Sequence, residues 1–120
     1  MAAAMSIDDP DLVRIAMLCE GDVSYRIDGS HRLVLMQGIR FLAAGVAQKM
    51  DALLGLDRNN ATYPTKLYLE KQLGGGLNWN EEAQLLARKW YSYSWKDVPN
   101  TLPLFDILAA HLAALNPPRP

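Results

Sequence analysis

Reactive side chains are scarce in this chain. One cysteine, Cys19, among 120 residues excludes an internal disulfide framework and a cysteine-only metal site, and it fits a reducing compartment. The two histidines, His31 and His111, are far apart, and neither has a second His or Cys three or four positions on. That is the spacing at which one helix would present two metal ligands. Gly74-Gly75-Gly76 lacks the Lys-Ser/Thr that completes a phosphate-binding loop, and it reads as a joint after a helix. No nucleophile elbow is visible. The adjacent carboxylates Asp8/Asp9 and Glu81/Glu82 do not face each other on a helix, and their places at expected helix starts are explained by the helix dipole. The sequence therefore leads to no enzyme, no cofactor and no metal.

Long apolar runs are missing too. None approaches the length needed to span a bilayer. The start, Met1-Ala2-Ala3-Ala4-Met5-Ser6, lacks the basic and apolar regions of a secretory signal. These features point to a cytoplasmic protein with no membrane partner, and they remove the weight of the sequon Asn60-Ala61-Thr62. Charge of one sign is also lacking, since the net charge is −1. Residues 1–30 hold six acidic and two basic side chains, and the rest hold ten basic and seven acidic. That mild basic excess is weaker than the footprint of most DNA-binding domains.

Half of the residues are hydrophobic, a globular balance in a chain of single-domain length. The sequence predicts one domain over residues 1–120, frayed at about 1–7 and 116–120. Asp9-Pro10 is a cap followed by proline at a first helical position, and Leu12, Ile15, Ala16 and Cys19 then share a face ahead of Gly21. Leu35, Ile39, Leu42, Val46, Met50 and Leu53 recur at helical spacing and predict a long helix over about 31–54. Gly38, Gly45 and Ala52 lie seven apart beside that stripe. They form a small-residue lane for close helix packing, within the chain or in a homo-oligomer. A loop over 56–63, a short helix from Pro64 to about Leu73, a helix capped by Asn80 and a last helix after Pro103 complete the set. The last helix has Leu104, Ile107, Leu108, Leu112 and Leu115 inward, and His111 on the same face reads as a hydrogen-bonded core residue. The predicted fold is all-α, a compact irregular bundle of about five helices. The alternative is α+β, with a small hairpin near 23–36. There Val23, Tyr25 and Ile27 alternate with polar residues, Asp28-Gly29 is a turn signal, and Leu33–Met36 would be the return strand.

The aromatics are few but clustered. Arg88-Lys89-Trp90-Tyr91-Ser92-Tyr93-Ser94-Trp95-Lys96 holds four of them beside three cations. On the expected fourth helix Trp90 falls on the core side with Ala83, Leu86 and Ala87. Arg88, Tyr91 and Trp95 form a second stripe. Rigid aromatics beside a stackable guanidinium suit a contact surface, with Lys89, Tyr93 and Lys96 at its margin. If the helix stops near Tyr91, then Tyr91, Tyr93 and Trp95 alternate in an extended strip. The functional expectation is a non-enzymatic interaction domain (a small subunit, adaptor or inhibitor) whose partner is another protein or a larger assembly. The alternative is a nucleic-acid-binding accessory domain that uses Arg88, Lys89, Lys96 and the neighbouring aromatics.

Overall fold

A computed structural model describes residues 10–56, 62–73, 78–79 and 81–116. The architecture is a six-stranded antiparallel sheet with a helix at either end of the chain, and it overturns the expected helix bundle. Helix α1 (Pro10–Ala16) precedes strands β1 (Val23–Asp28), β2 (His31–Ala43), β3 (Val46–Gly55), β4 (Lys66–Leu69), β5 (Glu81–Leu85) and β6 (Arg88–Ser92), and helix α2 (Leu104–Leu115) follows. The strands lie in the order β1-β2-β3-β4-β6-β5. The helix expected over 31–54 is the β2–β3 hairpin, that from Pro64 contains β4, and that from Asn80 is the β5–β6 hairpin. The proposed caps Asp9 and Asn80, the glycine run 74–76, most of the 56–63 loop and most of the ends called frayed lie outside the described residues.

Asp28-Gly29 marks a real turn. β1 pairs with β2 from Val23↔Met36 to Asp28↔His31, and Gly29 takes the positive φ that the turn demands. β2 then conceals itself from pattern reading. Leu33 to Met36 are all buried, because both faces of the sheet are covered there. The register also slips between Met36 and Ile39, where β2 carries one residue more than β3. This bulge moves the helix-facing set from Val34 and Met36 to Ile39, Phe41 and Ala43. Alternation is lost, and a false helical spacing takes its place.

The small-residue lane dissolves in the same way. Gly38 is the bulge residue at φ 65°, and Gly45 sits at φ 78° in the two-residue turn that closes β2–β3. Ala52 is a buried position of β3. The glycines serve the backbone rather than a helix contact, so the route to a homo-oligomer through a helical lane is withdrawn. Gly38 N–H donates to Asp51 Oδ1 at 2.9 Å, and its carbonyl accepts from Glu20 N–H at 2.9 Å. A Cβ at Gly38 would lie 3.2 Å from Glu20 Cβ. Gly38→Ala is expected to destabilise the fold by about 1–2 kcal/mol, from the left-handed backbone cost alone. A chemical-denaturation midpoint equal to wild type would refute the strained bulge.

Both helices pack on one face of the sheet. Leu12 and Ile15 of α1, and Ile107, Leu108, His111, Ala114 and Leu115 of α2, are buried against Val34, Met36, Ile39, Ala52, Leu54, Leu67 and Leu69. The Arg14 guanidinium lies over the Phe105 ring at 4.0 Å and links the helices. The other face holds a smaller cluster of Leu33, Leu35, Leu53, Tyr68, Leu85 and Trp90. The sheet curls over it until its outermost strands meet. There Asp28 Oδ2 at the end of β1 accepts from Leu86 N–H, just past β5, at 2.7 Å. Leu86 and Ala87 both adopt positive φ, a strained turn for residues with a side chain, and the carboxylate pins it.

Candidate interaction surface

The aromatic–basic stretch is a strand and its extension, so its side chains alternate between the two faces. Arg88, Trp90 and Ser92 share one face, and Lys89, Tyr91 and Tyr93 take the other. The helical stripe of Arg88, Tyr91 and Trp95 therefore does not form. Arg88 stacks over the Trp90 ring at 4.4 Å and pairs with Asp51 at 3.0 Å. Lys89 lies 3.8 Å from Glu82. Tyr91, half-buried, borders a polar depression with Glu70, Lys71, Gln72 and Glu82. Tyr93 is buried, its ring set edge-on to Trp79 at 5.1 Å between centroids. Arg88 and Lys89 are exposed but ion-paired, and Trp95 and Lys96 stand exposed side by side. Of the six candidate contacts, Tyr93 is buried, Tyr91 is half-buried, Arg88 and Lys89 are exposed in ion pairs, and Trp95 and Lys96 are open.

Tyr93 belongs to a buried polar group that fixes α2. Its hydroxyl donates to His111 O at 2.7 Å. Thr65 Oγ1 donates to Val98 O at 2.8 Å and lies 2.9 Å from His111 Nε2. Thr65 has one proton and spends it on Val98, so its oxygen accepts from His111 Nε2–H. His111 Nδ1 has no hydrogen-bond partner among the described residues. Burial, with Lys66 nearby, lowers the imidazole to a pKa of about 4. Burial likewise pushes the Tyr93 hydroxyl upward. Cys19 follows the same logic. It is buried, its thiol faces Ile15 O at 3.4 Å, and desolvation raises it to about 11. A protonated, enclosed thiol is a poor nucleophile.

Several other exposed apolar side chains lie near the tip of the β2–β3 hairpin and the end of α1. The tip of the β2–β3 hairpin is tied to the end of α2, with Ala44 N–H on Leu115 O at 2.9 Å and Gly45 N–H on Asn116 Oδ1 at 2.8 Å. Beside that junction runs an open groove of about 290 Å³ lined by Leu18, Phe41, Leu42, Leu112 and Ala113, with Arg40 and Asn116 at its rim. Leu42 is 49% exposed and Val46 58%. Met17, next to Leu18, is 75% exposed, and Val13, one helical turn back, is 50%. The reading of α1 assigned Leu12 and Ile15 inward, which already leaves Val13 and Met17 outward as a pair. Leu42 and Val46 gave no such signal, because a helical stripe claimed both for the core. Among the described residues no helix is long and apolar enough to cross a membrane. Compared with family models, with curated proteins and with solved structures, the chain matches none.

Proposed function

We propose that this chain is a protein-interaction domain with no reactive chemistry of its own, and that its partner docks at the end formed by the β2–β3 tip, the end of α1 and the end of α2. The supporting observation is the apolar groove walled by Leu18, Phe41, Leu42 and Leu112, with Leu42 49% exposed on its lining, Met17 75% exposed next to Leu18 and Val46 58% exposed at the hairpin tip. Scattered apolar residues on a surface need no explanation, but several around one groove commonly mark a contact site. Covering them returns about 25 cal/mol for each Å² of apolar surface removed from water. Two side chains with catalytic potential are enclosed: burial pushes the Cys19 thiol up to about 11, which disfavours the thiolate, and lowers the His111 imidazole to about 4.

The test is capture from the native host with the wild-type domain and two variants side by side, followed by affinity measurement on the recovered protein. Met17→Asp/Leu42→Asp should fold normally and weaken binding by at least about 2 kcal/mol, the scale of an interface anchor. Trp95→Ala/Lys96→Glu should bind like wild type. The reverse pattern would move the contact to the aromatic strip. Affinity falling steeply with salt would favour the nucleic-acid alternative instead, although Arg88 and Lys89 already face Asp51 and Glu82.

A further inference from the structure

The outer edge of β3 is unfinished along its first half. β4 pairs only with Ala52 to Gly55. One more step follows, where Glu70 N–H donates to Asp51 O at 3.3 Å and the Glu70 carboxylate takes Asp51 N–H at 2.6 Å. Past Glu70 the chain leaves β3 and lines the depression beside Tyr91. The two-residue turn makes Ala43 and Val46 the closing hydrogen-bonded pair, so Val46, Gln48 and Met50 point their backbone groups at β2. Those of Ala47, Lys49 and Asp51 point away. Arg40, opposite Lys49, obeys the same alternation, since its N–H turns away from β3 to Leu18 O at 2.8 Å. Among the described residues nothing meets the N–H and C=O of Ala47 or Lys49.

The side chains along this edge carry a second message. Arg40 and Lys49 are direct cross-strand neighbours in a non-hydrogen-bonded pair, where side chains are closest and like charges are unfavourable. The Glu20 carboxylate reaches Lys49 Nζ at 3.0 Å, but among the described residues Arg40 has no acidic partner. Next along the same face Leu42 stands opposite Ala47, whose small side chain leaves Leu42 reachable from the edge.

Resting on the interaction reading above, we infer that an extended segment of a partner protein adds as a further strand along Ala47 and Lys49, bringing a carboxylate to the Arg40–Lys49 pair and an apolar side chain over Ala47 onto Leu42. Strand addition of this kind draws affinity from main-chain hydrogen bonds and selectivity from alternate side chains. A second copy of the same edge is disfavoured, because it would set one Arg40–Lys49 pair against another.

The probe is a displayed library of short random peptides selected on the full chain, with the enriched sequence then synthesised. Enriched peptides should combine acidic and apolar residues at alternating positions. Ala47→Pro removes one outward N–H and none from the β2–β3 ladder, as proline on an edge strand permits. It should weaken peptide binding by about tenfold or more, the cost of a main-chain acceptor left unmet, while Ala47→Thr should bind like wild type. Arg40→Glu, which replaces the like-charged pair with an opposite one, should weaken binding as strongly, and it decides the matter should proline unfold the chain. An empty selection, peptides without acidic residues, or binding indifferent to Ala47→Pro and Arg40→Glu would overturn strand addition. Binding that resists those changes but is lost in Leu42→Asp would leave the docking reading standing without strand addition. Resistance to all three would remove both.

Discussion

Trp90→Ala should cost about 3–5 kcal/mol of stability, the range of large aromatic truncations in a core. Trp90 is the largest side chain of the cluster on the helix-free face of the sheet, and it is fully enclosed. Its indole N–H donates to Leu85 O at 2.9 Å across the β5–β6 hairpin, and Arg88 covers the ring. Alanine would empty the space beneath the curled sheet and remove that hydrogen bond. Trp95, 40% exposed five residues later, supplies the control. Trp95→Ala should stay within about 0.5 kcal/mol of wild type, as surface substitutions do. Urea denaturation of both variants measures the contrast. Equal losses would mean that the two tryptophans share one environment, contrary to the alternation along β6 and its extension.

Acid should weaken the fold through His111. Its imidazole has a pKa of about 4 in the folded chain, against an unfolded value near 6.5. Between those values the unfolded chain binds a proton that the folded chain refuses, so stability falls as pH drops from about 6.5 to about 4 and levels off for this group below that. The full loss is on the order of 3 kcal/mol. Melting temperature followed from pH 7 to pH 4, in wild type and His111→Leu, isolates the effect from the carboxylates that titrate in the lower part of the window. The wild-type curve should fall more steeply. Parallel curves would mean that His111 is solvated or already charged at neutral pH. The 1% exposure of the ring and its bond to Thr65 argue against that.

The two helices were legible because their signals are local. Pro10 stands at the first turn of α1, and Leu104, Ile107, Leu108 and Leu115 repeat at helical spacing in α2. The turn at Asp28-Gly29 carried a local signal too, but only as the alternative to a helix over 31–54. The rest of the sheet hid behind three devices. Burial on both faces erased alternation in Leu33–Met36, and the bulge at Gly38 inverted it beyond. The β5–β6 turn is made by Leu86 and Ala87, which carry no turn signal although both take positive φ. Pairing partners such as β4 and β6, more than twenty residues apart, leave no mark on a local window. The expected helical stripe of Arg88, Tyr91 and Trp95 did not form for a related reason. A strand sends Arg88 and Tyr91 to opposite faces, so the cluster that stood out in sequence was divided between core and surface. The more open apolar residues, Met17, Leu42 and Val46, were dispersed along the chain until the fold brought their elements to one end.

Backbone hydrogen–deuterium exchange of the domain, free and saturated with the partner recovered by native capture, addresses the proposed docking site most directly. Protection on binding should appear at residues 17–18 and along the hairpin from Arg40 to Lys49, with the outward amides of Ala47 and Lys49 among the most slowed, and residues 91–96 should exchange as in the free domain. Protection confined to 91–96, with the hairpin and the end of α1 unchanged, would contradict it.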